Sequence, residues 1–202
     1  MIKLQIDLLR HGETTLSHTL RGHLDDDLTE QGWLQMQSTI QQYITTPMDW
    51  DVIISSPLRR CHCFAEHLAN QLGLPMRVNE HIKEMHFGDW EGIPTQTIYE
   101  IAPELLANFW QFPTQYHAPK GESLLQFKQR VIDGFDEIYV QMQRHNWNKA
   151  LIVTHGGVIK LLTCLARQQN LDDLLKMPAE LGKLYQLECS KRLDEMYFEE
   201  KH

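Results

Sequence analysis

The sequence contains no long hydrophobic run. Its most apolar stretches, such as Ala150–Thr154, fall far short of the ~20 residues that a membrane-spanning helix requires. At the N-terminus, MIKLQIDLLRHGE is interrupted by Lys3 and Asp7, too early for the apolar core of a secretory signal. Positive charge is scarce as well. Nineteen Lys and Arg stand against 27 Asp and Glu, a formal net charge of −8. Nucleic-acid affinity comes mainly from neutralising backbone phosphates, so a nucleic-acid partner is not expected. The four cysteines, Cys61, Cys63, Cys164 and Cys189, could pair in three ways, but without a secretory signal they read as reduced thiols. The chain is therefore expected in the cytoplasm, with no membrane partner. Repeats, low-complexity tracts and Gly/Ser linkers are also missing, and residues 1–202 are read as a single domain. Histidine is the residue in excess: there are eleven.

Short apolar runs alternate with amphipathic helical stretches, the pattern of an α/β fold with a mostly parallel sheet. Residues 2–9, 51–55 (DVIIS) and 150–154 (ALIVT) read as strands, the last two buried on both faces. Thr29 is expected to cap a helix with the stripe Trp33, Met36, Ile40, Tyr43 and Ile44. Ser56 is expected to cap the next, with Pro57 in the first helical position and Gly73 as its stop. A longer helix is predicted from about Ser123 to Arg144. Residues 92–120, with four prolines, read as a helical excursion over a substrate site.

The three predicted strands end in related chemistry. The first leads into Arg10-His11-Gly12, the second into Ser56-Pro57-Leu58-Arg59-Arg60, and the third into His155-Gly156-Gly157. In open α/β sheets, ligands bind beyond the carboxyl ends of the strands. Converging cations, backbone N–H groups and helix N-termini make an anion site there, and two histidines add a nucleophile and a donor. Other clusters are weaker. Cys61-His62-Cys63 with Glu66 and His67 suggests a metal, but two cysteines on one helix point too far apart to share an ion easily. Asp25-Asp26-Asp27 reads as a solvated turn before the Thr29 cap. Trp90, Trp110, Phe112 and Tyr116 read as core or lid packing, with some of them free to line a pocket.

The segments LLRHGET, ISSPLRRC, EMHFGDWEG and IVTHGGV, in this order, resemble the histidine phosphatase superfamily over residues 4–162. That resemblance implies a three-layer α/β/α sandwich of the phosphoglycerate-mutase type and a phosphohistidine mechanism. His11 would be the nucleophile, and Arg10, Arg60 and His155 would hold the phosphoryl oxygens with Gly156 beside them. Glu84 occupies the position of the general acid/base, although Asp89 and Glu91 lie in the same segment and the residues alone leave that vote split. Ser17 and His23 are candidate substrate contacts; many relatives carry Asn at Ser17 and a longer loop after it. Glu13 and Thr14 would steady the first loop. No metal or cofactor is implied. The expected partner is a small phosphorylated metabolite, and a homodimer is left open.

EMHFGDWEG and the Gly121-Glu122-Ser123…Phe127…Arg130-Val131 run resemble the bacterial α-ribazole phosphatases. The expected activity is thus hydrolysis of α-ribazole 5′-phosphate or cobalamin 5′-phosphate in cobalamin biosynthesis. A broad or sugar-phosphate phosphatase is the alternative, and a non-catalytic phospho-ligand scaffold a more distant one.

Overall fold

The computed structural model describes residues 2–44 and 50–201. A six-stranded sheet runs in the order β3-β2-β4-β1-β5-β6, formed by β1 (Lys3–Arg10), β2 (Val52–Ser55), β3 (Met76–Val78), β4 (Lys149–Thr154), β5 (Leu184–Arg192) and β6 (Glu195–Glu200). The first four strands are mutually parallel. β5 pairs antiparallel with β1 and returns as β6. Its turn puts Leu193 and Asp194 at positive φ (47° and 65°), the handedness that suits a two-residue hairpin.

Alternation along the central strands sends side chains into two cores. Ile6, Leu8, Val52, Ile54, Ala150 and Ile152 pack on one face against α5 (Leu124–Arg144), α6 (Gly156–Ala166) and the excursion helices α3 (Thr95–Ile101) and α4 (Pro103–Gln111). Leu9, Ile53, Leu151 and Val153 pack on the other against α1 (Glu30–Tyr43) and α2 (Arg59–Leu72). The result is a three-layer α/β/α sandwich of phosphoglycerate-mutase type. Among the described residues no helix is long and apolar enough to cross a membrane.

Local signals set most helix ends. Thr29 accepts from Gly32 N and caps α1, and Gly73 ends α2 in the left-handed conformation. Ser123 and Gln126 form a reciprocal capping box at the start of α5. Ser56 differs from expectation: α2 begins at Arg59, after Leu58, with no side-chain cap. The Ser56 hydroxyl lies instead 2.7 Å from Nε2 of His155, a contact made across the sheet.

Candidate active site

The carboxyl ends of β1, β2 and β4 lie side by side, so the residues that follow them converge. This placement follows from parallel pairing: β4 is hydrogen-bonded to both β1 and β2, with Thr154 in register with Arg10. His11 is held from both sides, its N–H on Thr154 O (3.1 Å) and its carbonyl accepting from Gly182 N (3.2 Å). Its ring Nδ1 is 2.8 Å from Gly12 O. A carbonyl can only accept, so Nδ1 carries the proton and the Nε2 lone pair is free. His155 meets this ring edge-on, with centroids 5.4 Å apart. Burial, then the charges of Arg60 and Arg10, hold the His11 pKa well below its usual value. Burial and Arg60 do the same to His155. Both rings are neutral at physiological pH.

Arg60 is fully buried. Its Nη1 donates to Leu24 O (2.8 Å) and its Nη2 to Gly22 O (2.7 Å). Asp26 Oδ1 is 3.3 Å from Nη1. Asp26 therefore does not belong to a solvated turn. It is 6% exposed, and its other oxygen accepts from Leu16 N (3.3 Å) and lies 3.7 Å from Arg21 Nη1. Asp25 and Asp27 take the backbone N–H and the Nε of Arg59 (2.7 Å each). The acidic triplet ties the loop after β1 to the start of α2.

Glu84 is 8% exposed, and its carboxylate oxygens lie 3.0 and 3.1 Å from the N–H of Gly157, at the first turn of α6. A Cβ on residue 157 would come within 2.2 Å of Oε1, so only glycine allows this approach. The segment carrying Glu84 is anchored by Arg130, whose Nη2 donates to Glu84 O (3.2 Å) and Glu122 Oε1 (2.6 Å). Glu91 accepts from the N–H groups of His23 (2.8 Å), Leu24 (2.6 Å) and Phe87 (3.0 Å), which makes it a loop brace. Asp89 is half exposed and ion-paired with Lys120. Of the three acids in this segment, Glu84 alone lines the cavity described next.

That cavity, about 390 Å³, opens above His11. Arg10, Ser17, Arg21, Glu84, Gly156 and Lys160 supply its polar lining, and Phe87, Phe109, Trp110 and Phe127 its aromatic walls. Arg60 and His155 are fully buried and outside this lining. His23 is not brought to the cavity: its Nε2 is 3.0 Å from Glu84 O, where it supports the acid's backbone. Trp90 also stays out of the lining, packed edge-on against Phe109 in the core. The Cys61 thiol is buried against His155, and burial pushes its pKa up, which leaves it protonated and inert. Among the described residues no cluster of His, Cys, Asp and Glu is arranged to hold a metal ion.

A neutral imidazole at a cavity that also holds guanidiniums and a carboxylate can accept a phosphoryl group. Residues 6–196 match the family model of the histidine phosphatase superfamily (branch 1). The chain belongs to that superfamily. Phosphoglycerate mutase-like protein 4 of Arabidopsis thaliana is 30% identical over 167 residues, spanning 81% of this chain and 71% of the relative. The solved mycobacterial glucosyl-3-phosphoglycerate phosphatase superposes with a TM-score of 0.84 at 23% identity, over 98% of this chain and 97% of that one. The α-ribazole phosphatase of Shigella flexneri gives 0.78 at 22% identity, over 98% and 95%. At such identities these two structures establish the shared histidine phosphatase fold. Of the candidates read from the sequence, Arg10, His11, Ser17, Glu84 and Gly156 line the cavity and Arg60 and His155 are buried outside its lining; Arg21, Lys160 and most of the aromatic lining were not among them. Arg21 follows no strand, and the only local signal was a cation beside Gly22.

Proposed function

We propose that this histidine phosphatase hydrolyses a phosphomonoester through a phospho-His11 intermediate, and that its substrate is α-ribazole 5′-phosphate. The observation that carries the substrate reading is the make-up of the cavity lining: the guanidiniums of Arg10 and Arg21 together with His11, and four aromatic rings, Phe87, Phe109, Trp110 and Phe127. A 5′-phosphate at those guanidiniums leaves an aromatic base among aromatic rings, where offset or edge-on contacts are favourable. A substrate rich in hydroxyls or carboxylates would leave most of that aromatic lining unmatched.

The chemistry divides one hard displacement into two easier ones. Nε2 of neutral His11 attacks phosphorus in line, and the P–O bond to the ribose breaks. Arg10, Arg60 and His155 stabilise the charge on the equatorial oxygens, each donor worth about 3 kcal/mol. Glu84 gives its proton to the departing 5′-oxygen. It then takes one from the water that attacks phosphohistidine, releasing inorganic phosphate and restoring His11.

Rapid quench with labelled substrate should capture an acid-labile, alkali-stable phosphoenzyme in the wild type and none in a folded His11→Ala variant. A label on serine or a carboxylate would refute the mechanism. For the substrate, kcat/KM for α-ribazole 5′-phosphate should exceed that for phosphoserine, 3-phosphoglycerate and glucosyl-3-phosphoglycerate by at least about 100-fold, roughly 3 kcal/mol of differential transition-state binding. Comparable values would favour the sugar-phosphate alternative, for which Lys160 and Glu180 at the cavity wall offer polar contacts.

A further inference from the structure

Buried polar atoms are almost always paired, so those left over point to a partner that arrives later. Among the described residues five buried side-chain polar atoms lack a hydrogen-bond partner, and three of them are Nε of Arg10, Arg21 and Arg60. Their terminal nitrogens are already tethered. Arg10 Nη1 donates to Ala179 O, and Arg60 uses both Nη atoms on Gly22 and Leu24 carbonyls. Arg21 Nη1 donates to the hydroxyls of Thr14 and Ser17 (3.3 Å to the latter). Each guanidinium is thus fixed by its tip while its Nε–H remains free.

Arg21 is the least expected of the three. Its side chain is 9% exposed, yet it lines the cavity together with Arg10 and His11. Burying an arginine is costly unless its charge is compensated. Asp26 provides that compensation and ties it to the rest of the site: Oδ2 faces Arg21 at 3.7 Å and Oδ1 faces Arg60 at 3.3 Å. A single carboxylate against two guanidiniums and beside a third leaves the floor with net positive charge. Arg21's charge also contributes to holding His11 neutral.

We propose that Arg21 is a third phosphoryl-binding guanidinium, donating its Nε–H to a phosphoryl oxygen, and that Asp26 is the positioning residue that holds Arg21 and Arg60 around that group. The inference rests on the reading of this site as a phosphoryl-transfer centre, and it concerns the phosphoryl group alone, whatever alcohol is esterified to it. Ser17 is then a tether for Arg21: its hydroxyl accepts from Thr14 N (2.9 Å) and from Arg21.

The probe is orthovanadate, a phosphoryl mimic with no leaving group, and the generic substrate is p-nitrophenyl phosphate. In wild-type protein labelled with ¹⁵N-arginine, vanadate should shift three Nε–H resonances strongly, assigned by substitution to Arg10, Arg21 and Arg60. Only two such shifts, with the Arg21 resonance unmoved, would overturn the proposal without requiring any variant to fold. Arg21→Gln should raise the vanadate inhibition constant and lower kcat/KM for p-nitrophenyl phosphate by about 100-fold each, the usual cost of losing one such donor. Arg21→Lys, which keeps the charge and loses Nε, should recover no more than about tenfold of that loss. A folded Arg21→Gln protein that binds vanadate as the wild type does would equally refute it. Asp26→Asn should displace the Nε resonances of both Arg21 and Arg60, leave that of Arg10 in place, and weaken vanadate about tenfold. If only general destabilisation followed, with both resonances unmoved, the positioning role would fall. Failure of His11 to become labelled by substrate would instead defeat the phosphatase reading, an outcome distinct from a silent Arg21.

Discussion

A methyl group added at Gly157 should disable Glu84 and leave His11 in place. The new Cβ would lie 2.2 Å from Glu84 Oε1, far inside van der Waals contact, and the neighbouring Arg130-tethered backbone cannot retreat easily. The carboxylate must therefore swing into the cavity and give up its bonds of 3.0 and 3.1 Å to Gly157 N. A hydrogen bond to a charged group is worth about 1.5–3 kcal/mol. For a chain of this size each kcal/mol shifts Tm by about 2–4 °C, so a fall of roughly 3–12 °C is expected, with the protein still folded. The kinetic effect should depend on the leaving group. An alkyl alkoxide needs a proton as it departs, and loss of a general acid costs about 10²–10⁴-fold. Nitrophenolate leaves without one, so Gly157→Ala should slow phosphoenzyme formation from p-nitrophenyl phosphate less than about tenfold, since little general-acid help is lost there. Rapid-quench phosphoenzyme formation with both substrates measures this directly. Glu84→Gln should show the same split. Asp89→Asn should not, because Asp89 pairs with Lys120 outside the cavity. Equal losses on both substrates in Gly157→Ala, or unimpaired alkyl phosphate turnover, would refute the role assigned to the Glu84–Gly157 contact.

Other perturbations reach the rest of the site. His11 and His155 are held neutral by burial and by Arg60, with folded pKa values below those of the unfolded chain. Their contribution to stability is therefore complete above the unfolded value of about 6.5 and is lost as pH falls below it, because the unfolded state then binds protons that the folded state refuses. Together they steepen the acid limb of a urea-unfolding profile by up to about 2.7 kcal/mol per pH unit, and His155→Gln should remove about half of that steepening; an unchanged slope would contradict it. Turnover should survive exhaustive chelation, since the guanidiniums of Arg10 and Arg60 supply the positive charge; loss on chelation with recovery on adding a metal would refute this reading. Trp110→Ala should raise KM for α-ribazole 5′-phosphate about tenfold with kcat little changed, the pattern of lost uniform binding. An equal rise for phosphoserine would show that the wall does not contact the base.

Much of this architecture was written locally. The runs at residues 51–55 and 150–154 read as strands buried on both faces, and the helix signals at Thr29, Gly73 and Ser123 act within one turn of the chain. Because parallel strands align their carboxyl ends, a cation or histidine following each run was enough to bring His11, Arg10, Arg60 and His155 together. The hairpin of β5 and β6 was not legible, because its turn uses Leu193 and Asp194 at positive φ where glycine or asparagine would have signalled it. Ser56 looked like a helix cap until tertiary packing turned its hydroxyl toward His155, 99 residues away in sequence. Asp26 looked solvated because nothing within its own loop revealed Arg60, 34 residues further on. Arg21 and the aromatic walls share that reason. An arginine's partners and a ring's exposure depend on which distant segments enclose them, and here α4, α5, α6 and the 3₁₀ turn at Leu171–Lys176 close over one cavity. Sequence alone therefore singled out the candidate reacting groups, with Glu84 chosen over Asp89 and Glu91 only through the family resemblance; the enclosure that tethers three guanidiniums, turns Glu84 onto Gly157 and shapes the walls was decided by the tertiary fold.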